Sequence, residues 1–315
     1  MKTQIISADD LDLDRHVTAF REAFAHVGWR EEIEPATNAE FFRWKYRTPY
    51  GDAVIAHLAT GGRLISSASA FPLMLRTPAG THLAWQVVDL ITTPDARGQG
   101  LFRRCLAVLV NELGPKGPLI CFPNRLSIGE IQRQGFRCVT ELRTCARQTL
   151  VVRAGNSTLV QDSPPDVQTK ATDTRTVCVC KDANYLNWRY VHNPARRYQF
   201  ISECSSPESF AVVRELALPL GQRASVVMDM SAEEGADRSG VLRQVHQWAH
   251  RRGLICNFLF CGGSPLRAFG KGYIPLPPWA QPKRHLVFMK FPASMDQEET
   301  TTWRYAFQIG DWDGL

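Results

Sequence analysis

The stretch from Trp85 to Leu113 constrains this chain more than any other. It reads WQVVDLITTP, then DARGQGLF, then RRCLAVLVNEL. An apolar strand, Val87 to Ile91, runs into a short turn holding Pro94, Gly98 and Gly100. Beyond the turn, Leu101, Phe102, Cys105, Leu106, Leu109, Val110 and Leu113 recur at the spacing of one buried helix face. Arg103 and Arg104 fall off that stripe. A strand that feeds a glycine-rich turn opening a helix is suited to hold phosphate. The first amides of a helix lack intrahelical partners, and the dipole favours negative charge there. Glycines admit a ligand close to the backbone, and Arg97 adds a cation with forked donors.

The details separate the families that use this arrangement. No Lys-Ser or Lys-Thr follows Gly100, so the P-loop pattern is absent. Gly98 and Gly100 are followed by Leu101, Phe102 and Arg103, which breaks the dinucleotide pattern GxGxxG. What fits is Arg-x-x-Gly-x-[Gly/Ala] after an apolar strand. Arg97, Gly98, Gln99, Gly100, Leu101 and Phe102 resemble the pyrophosphate loop of the GNAT acyl-CoA N-acyltransferase superfamily, with Phe102 where a small residue is usual. A second stretch, after the apolar run PLICF, carries Asn124, Ser127, Ile131, Gly135 and Phe136. It matches that superfamily's second motif at four of five positions. At the fifth, Ile131 replaces the tyrosine that protonates the departing thiolate.

Composition agrees with a globular chain. The 315 residues suffice for two domains of about 150 each. Hydrophobic residues make up 44% and charged residues 22%, enough for sizeable cores. No run of 18 apolar residues suggests a membrane span, and the acidic start MKTQIISADDLDLD does not read as a signal peptide, so a cytoplasmic location is expected. The net charge of +6 suits an anionic ligand, but no basic run interleaved with aromatics points to nucleic acid. Nine cysteines, mostly in apolar surroundings, read as small buried hydrophobes rather than a disulfide framework. Cys178 and Cys180 lack a second ligand pair, and in HQWAH a glutamine stands where a zinc peptidase has glutamate, so no metal is expected at His246 and His250.

In chain order the pattern predicts a strand at Gln4 to Ser7 and a helix capped by Asp12 or Asp14, with apolar Val17, Phe20, Phe24 and Val27, ending at Gly28. A second helix runs from Asn38 to Arg47. Strands follow at Ala53 to Ala59, Arg63 to Met74 and His82 to Thr92, and Phe136 to Val152 reads as a closing hairpin. Arg153 to Asp173, rich in Ser, Thr, Pro and Asp, reads as a linker.

Past it the sequence repeats. Phe41-Phe42-Arg43-Trp44-Lys45-Tyr46 is echoed by Tyr185-Leu186-Asn187-Trp188-Arg189-Tyr190, Val88-Asp89 by Met228-Asp229, and Gly135-Phe136 by Gly272-Tyr273. The chain therefore resembles a tandem GNAT protein: an α/β (mixed α+β sheet) fold with two GNAT-like domains, residues 1–152 and 174–315, joined by 153–173. In the second copy Asp237 falls opposite Arg97, with Glu233 and Glu234 just upstream. Carboxylates there repel a diphosphate, so the second copy reads as degenerate and without coenzyme A. The ending FQIGDWDGL is similar to that of some proteins of bacterial surface-polysaccharide assembly.

The resemblance implies acyl transfer from acetyl-CoA, or another acyl-CoA, to a primary amine of a small molecule such as an amino sugar or amino acid. It places pantetheine on the main chain of Leu90, Ile91 and Thr92, phosphates on Arg97 to Phe102, and Asn124 near the pantetheine. Candidates for the base are Asp89, an acid inside an apolar strand, and Glu34; Gln86 stands where some members carry glutamate. His57 and His82 read as ordinary strand residues. Trp44, Tyr46, Trp188 and Tyr190 line either a sugar surface or, at their helical spacing, the core. Two other readings stand beside the enzyme: a non-catalytic acyl-CoA-binding or scaffolding module, and an aminoacyl-tRNA-dependent transferase, against which the loop argues. A homodimer is compatible with the chain under the leading reading.

Overall fold

The computed structural model describes residues 2–25, 34–149, 158–165, 175–203, 206–231, 238–262, 272–281 and 285–312. The predicted Val27 and Gly28 helix end lies outside them.

The first half starts with β1 (Gln4–Ser7) and α1 (Leu13–Phe24). Asp12 caps α1 by accepting the amide of Arg15 at 3.1 Å, and the helix buries His16, Ala19, Phe20 and Ala23. Asn38 likewise caps α2 (Ala39–Tyr46) through the amide of Phe41 at 2.8 Å. A tight hairpin, β2 (Arg47–Thr48) and β3 (Gly51–Asp52), leads to β4 (Val54–Thr60), β5 (Arg63–Thr77) and β6 (Gly80–Thr92). Then come α3 (Leu101–Leu113), β7 (Leu119–Cys121), α4 (Ile128–Arg133) and β8 (Arg137–Gln148).

The second half holds β9 (Thr158–Gln161), β10 (Thr176–Val179), α5 (Ala183–Leu186) running into a π-helical turn at Asn187–Val191, β11 (Gln199–Glu203), β12 (Ser206–Ala217) and β13 (Arg223–Ser231). It ends with α6 (Arg238–Arg251), β14 (Cys256–Cys261), β15 (Ile274–Pro275), β16 (His285–Lys290), α7 (Glu299–Thr302) and β17 (Arg304–Tyr305). Four residues of the stretch read as linker are thus strand β9, paired antiparallel with β11.

One mixed sheet runs through both halves in the order β1-β4-β5-β6-β7-β16-β8-β14-β13-β12-β11-β9. Only β6–β7 and β13–β14 are parallel neighbours along that path. The closing hairpin expected at Phe136 to Val152 is instead the single strand β8. Its residues Arg137 to Leu142 pair with β16, which comes from the second half, while Arg143 to Gln148 pair with β14. Each half therefore completes its sheet with chain from the other. The physical reason is that β7 and β14 each present a ladder edge, and β16 satisfies the first while β8 satisfies the second.

Three cores follow from this sheet. Its α3 side buries Leu106, Leu109, Leu113 and Phe136; its α6 side buries Val245, Trp248 and Leu259. The opposite face is one cluster spanning both halves, with Phe42, Tyr46, Trp188, Tyr190 and Phe307. The aromatic repeat is core, not a sugar surface. Trp44 Nε1 donates to the Trp188 carbonyl at 2.8 Å, Trp188 Nε1 donates to the Trp44 carbonyl at 3.1 Å, and the rings stack at 5.4 Å. Repeated residues meeting each other reciprocally mark a local twofold relation between the halves. No helix among the described residues is long and apolar enough to cross a membrane.

Candidate active site

Strands β6 and β7 pair only at Trp85 to Val87. β6 then continues to Thr92, held on its other side by β5, while the chain after Cys121 turns away and Phe122 packs against Phe307. The β6 edge from Val88 to Thr92, including Leu90, Ile91 and Thr92, is left without a strand partner among the described residues. Backbone donors and acceptors so exposed are available to an extended ligand.

That edge leads directly into the turn. Gly98 and Gly100 have φ of +76° and +70°, a left-handed backbone that glycine adopts without strain. A Cβ added at either would meet nothing within 4 Å, so open space lies beside both. Gly100 caps α3 without a side-chain hydrogen bond, which leaves the first helical amides to an outside acceptor. Arg97 donates to the Ala23 carbonyl at 2.6 Å and ties the turn to the end of α1. The nearest carboxylates are neutralised. Hydrogen bonding from Arg63 lowers the Asp95 carboxyl to about 2, and Arg103 lowers that of Glu130, helped by Arg133. The region thus fits a diphosphate, with Gln99 exposed, Leu101 buried and Phe102 half-buried against the α3-side core.

Asp89 sits where β6 bulges against β5, with φ of +48°. The bulge turns its side chain to the α2 side, beside that of Val88. There Lys45 Nζ lies 2.8 Å from each carboxylate oxygen and Tyr46 Oη donates to Oδ2 at 2.7 Å. Both charged side chains are more than nine-tenths buried. Tyr46 Oη also lies 2.9 Å from Nε2 of His16 and 3.2 Å from Ser69 Oγ. Since the tyrosine proton goes to the carboxylate, His16 donates from Nε2 as the neutral ring. Burial, with Lys45 and His57 adding to it, lowers the His16 pKa to about 3. The second half repeats the motif: Tyr190 Oη donates to Asp229 at 2.6 Å, and Lys181 pairs with Asp229 and Asp311. Burial opposes the charge on Lys181, yet the two carboxylates more than offset it and raise its pKa.

Gln86 is buried, and its Nε2 donates to the Asp311 carbonyl at 2.9 Å. Arg189 holds the neighbouring Gly310 and Trp312 carbonyls. This tail, invisible as a site element in sequence, bridges both halves. Glu34 opens a 3-10 turn, Glu34–Thr37; its side chain lies outside the described residues. The side-chain Oδ1 of Asn124 accepts the amides of Leu126 and Ser127 at 2.9 and 3.1 Å, which orders the turn before α4 and leaves the side-chain NH2 to face a ligand. Ile131 is fully buried in the α3-side core.

Other candidates are placed elsewhere. His57 bonds Gln4 at 3.1 Å; His82 is half-buried at the far end of β6. His246 faces Asn257 and His250 the Thr149 carbonyl, so the two imidazoles have separate partners. No group of His, Cys, Asp or Glu among the described residues is arranged to hold a metal ion. Burial pushes the Cys105 thiol up to about 11 and Cys121 to about 12, so neither supplies a thiolate.

The splay recurs in the second half, where β13 and β14 pair only at Ser225 to Val227. There the tail intervenes: Gln308 Nε2 donates to the Met230 carbonyl at 3.0 Å. Glu233, Glu234 and Asp237 lie outside the described residues.

Two halves, each with a sheet splayed after a parallel strand pair and each with a helix behind it, match solved structures over nearly the whole chain. A GCN5-related N-acetyltransferase from Anabaena variabilis superposes with a TM-score of 0.61 at 8% identity, covering 92% of this chain and 73% of that one. The chain has the GNAT fold. Eis1 from Mycobacterium abscessus superposes as well, with a TM-score of 0.56 at 12% identity over 92% of this chain and 74% of that one. A tandem GNAT protein from the clavulanic acid biosynthesis pathway gives 0.51 at 10% identity, over 94% of this chain and all of the other. No family model matches, and no curated protein matches in sequence.

Proposed function

We propose that the chain is an acyl-CoA-dependent N-acyltransferase that uses acetyl-CoA or another acyl-CoA, with its co-substrate in the first half. One observation carries the reading: the unpaired β6 edge runs into an uncapped helix N-terminus through two left-handed glycines with open space beside them. Leu90, Ile91 and Thr92 would hold the pantetheine arm through their main chain, and Arg97 to Phe102 the diphosphate, with the Asn124 amide close by. The co-substrate supplies an activated thioester carbonyl. The nitrogen lone pair of a primary amine on a small molecule, an amino sugar or amino acid, attacks it; the C–N bond forms, the C–S bond breaks, and coenzyme A leaves as a thiolate that, through solvent, takes up the proton the nitrogen gives up as the amide forms. Protein groups position the partners for attack.

Asp89 stands here as a positioning residue, because Lys45 and Tyr46 engage both its oxygens and hold the bulge. Proton removal from the ammonium falls to water or to Glu34. The second half, with Gln308 on the equivalent strand edge, takes no coenzyme.

Ile131 in the tyrosine position and the committed Asp89 favour a second reading, acyl-CoA binding without turnover. Calorimetry with coenzyme A, followed by thiol release from acetyl-CoA with a panel of amino sugars and amino acids, separates the two. In Gly100→Glu, where φ disfavours any side chain and a carboxylate meets the diphosphate, affinity should fall about tenfold or more, at least ~1.4 kcal/mol. Turnover lost in that variant supports the enzyme. Tight binding with no thiol release favours the sensor, and no heat of binding removes both.

A further inference from the structure

A cavity of about 730 Å³ opens in the second half, beside the end of β11 and the C-terminal turns of α6. Its size is that of a small-molecule site. Arg196, Arg197, Arg214 and Arg252 line it, with the rings of Tyr198 and Trp248. Two acids face it as well. Glu215 is already neutralised by Arg252 and Arg223, and Asp162 is exposed at the rim. The balance of charge in the cavity is positive.

The repeat makes this cavity informative. With Asp89 set on Asp229, ladder register aligns Gln86 with Val226, and hence their partners Phe71 and Arg214. In the first half Phe71 is fully buried against Trp188, and the neighbouring Pro72 is covered by the β2–β3 hairpin through Thr48 Oγ1, which donates to its carbonyl at 3.0 Å. The second half has replaced that phenylalanine by an arginine and left space where the hairpin would pack. Nε of Arg214 is buried with no hydrogen-bond partner among the described residues. A buried guanidinium donor left unpaired is costly, and an anion in the cavity would satisfy it with a charge-assisted bond.

We propose that this cavity is a binding site for a small organic anion, a phosphate or carboxylate on a planar body, seated on Arg214 and Arg197 with its ring against Tyr198. The site lies toward the C-terminal end of α6, away from the helix N-terminus that would answer to the phosphate loop, so it is not a remnant coenzyme site.

The test is calorimetric titration of the full-length chain, at constant ionic strength, with phenyl phosphate and separately with benzoate. Saturable binding of either is expected, and the preferred one identifies the anionic group. Arg197→Ala should weaken it about tenfold, as expected for one lost charge-assisted bond. Arg214→Phe, which restores the residue used by the first half, should weaken it as much while leaving the melting temperature at or above that of the parent. The same titration in Gly100→Glu should give the parent affinity, since the loop site is disabled there. No binding by either probe overturns the proposal, and so does affinity unchanged in both arginine variants. Loss of binding in Gly100→Glu assigns the anion to the loop and also overturns it. Arg197 is exposed, so its variant remains informative if Arg214→Phe fails to fold.

Discussion

Asp89 is the residue at which the chemistry and the architecture compete. A carboxylate in an apolar strand suggests a base, but here it neutralises a buried lysine. Asp89→Asn should therefore lower stability by about 3 kcal/mol or more, because the ammonium of Lys45 stays buried without its counter-charge. Denaturant unfolding checks this; a variant with parental stability and lost turnover would make Asp89 a base instead. His16 gives a pH dependence. Its pKa is depressed in the fold to about 3 from an ordinary 6.5, so the unfolded chain binds the proton first as pH falls. The stability it contributes is whole above 6.5 and declines toward pH 3, at up to ~1.4 kcal/mol per unit. His16→Phe should flatten that part of a plot of unfolding midpoint against pH. An unchanged slope would mean that His16 is not the acid-sensitive group.

At the scale of elements, α2 and the π-helical turn that follows α5 form the joint between the halves. Each carries a tryptophan whose indole donates to the other's carbonyl, and the two rings stack between these bonds. Trp44→Phe and Trp188→Phe should each destabilise, and a double-mutant cycle should give a coupling of about 1 kcal/mol. Additive losses would show that the two bonds act independently. The turn before α3 works by absence: Gly100 caps the helix without a side chain, so no side-chain acceptor meets the first helical amides.

For the whole molecule, strand exchange decides what can fold. β16 lies between β7 and β8, so a chain cut after residue 152 loses the strand that covers the β7 edge. Residues 1–152 alone should be unfolded or aggregated, whereas coexpression with residues 153–315 should restore a complex. Circular dichroism and gel filtration of the fragments test this. An independently folded, monomeric first fragment would show that β16 is dispensable.

The sequence by itself determined the local elements and the glycine turn before α3. Strand alternation, the apolar stripe of α3, a capping aspartate at position 12 or 14, and two glycines in series are short-range signals that each residue carries in its own neighbourhood. It also revealed the repeat, because equal folds need similar core residues at similar spacing. What it could not convey was which residues meet across long separations. The partners of Asp89 lie 43 and 44 residues away, and Gln86 meets the carbonyl of Asp311 across 225. Strand exchange is silent in sequence too, since β8 has the same alternation whether its neighbour comes from its own half or the other. Hydrogen bonding along a ladder edge does not depend on which stretch of chain supplies the partner, so only the tertiary packing could decide it.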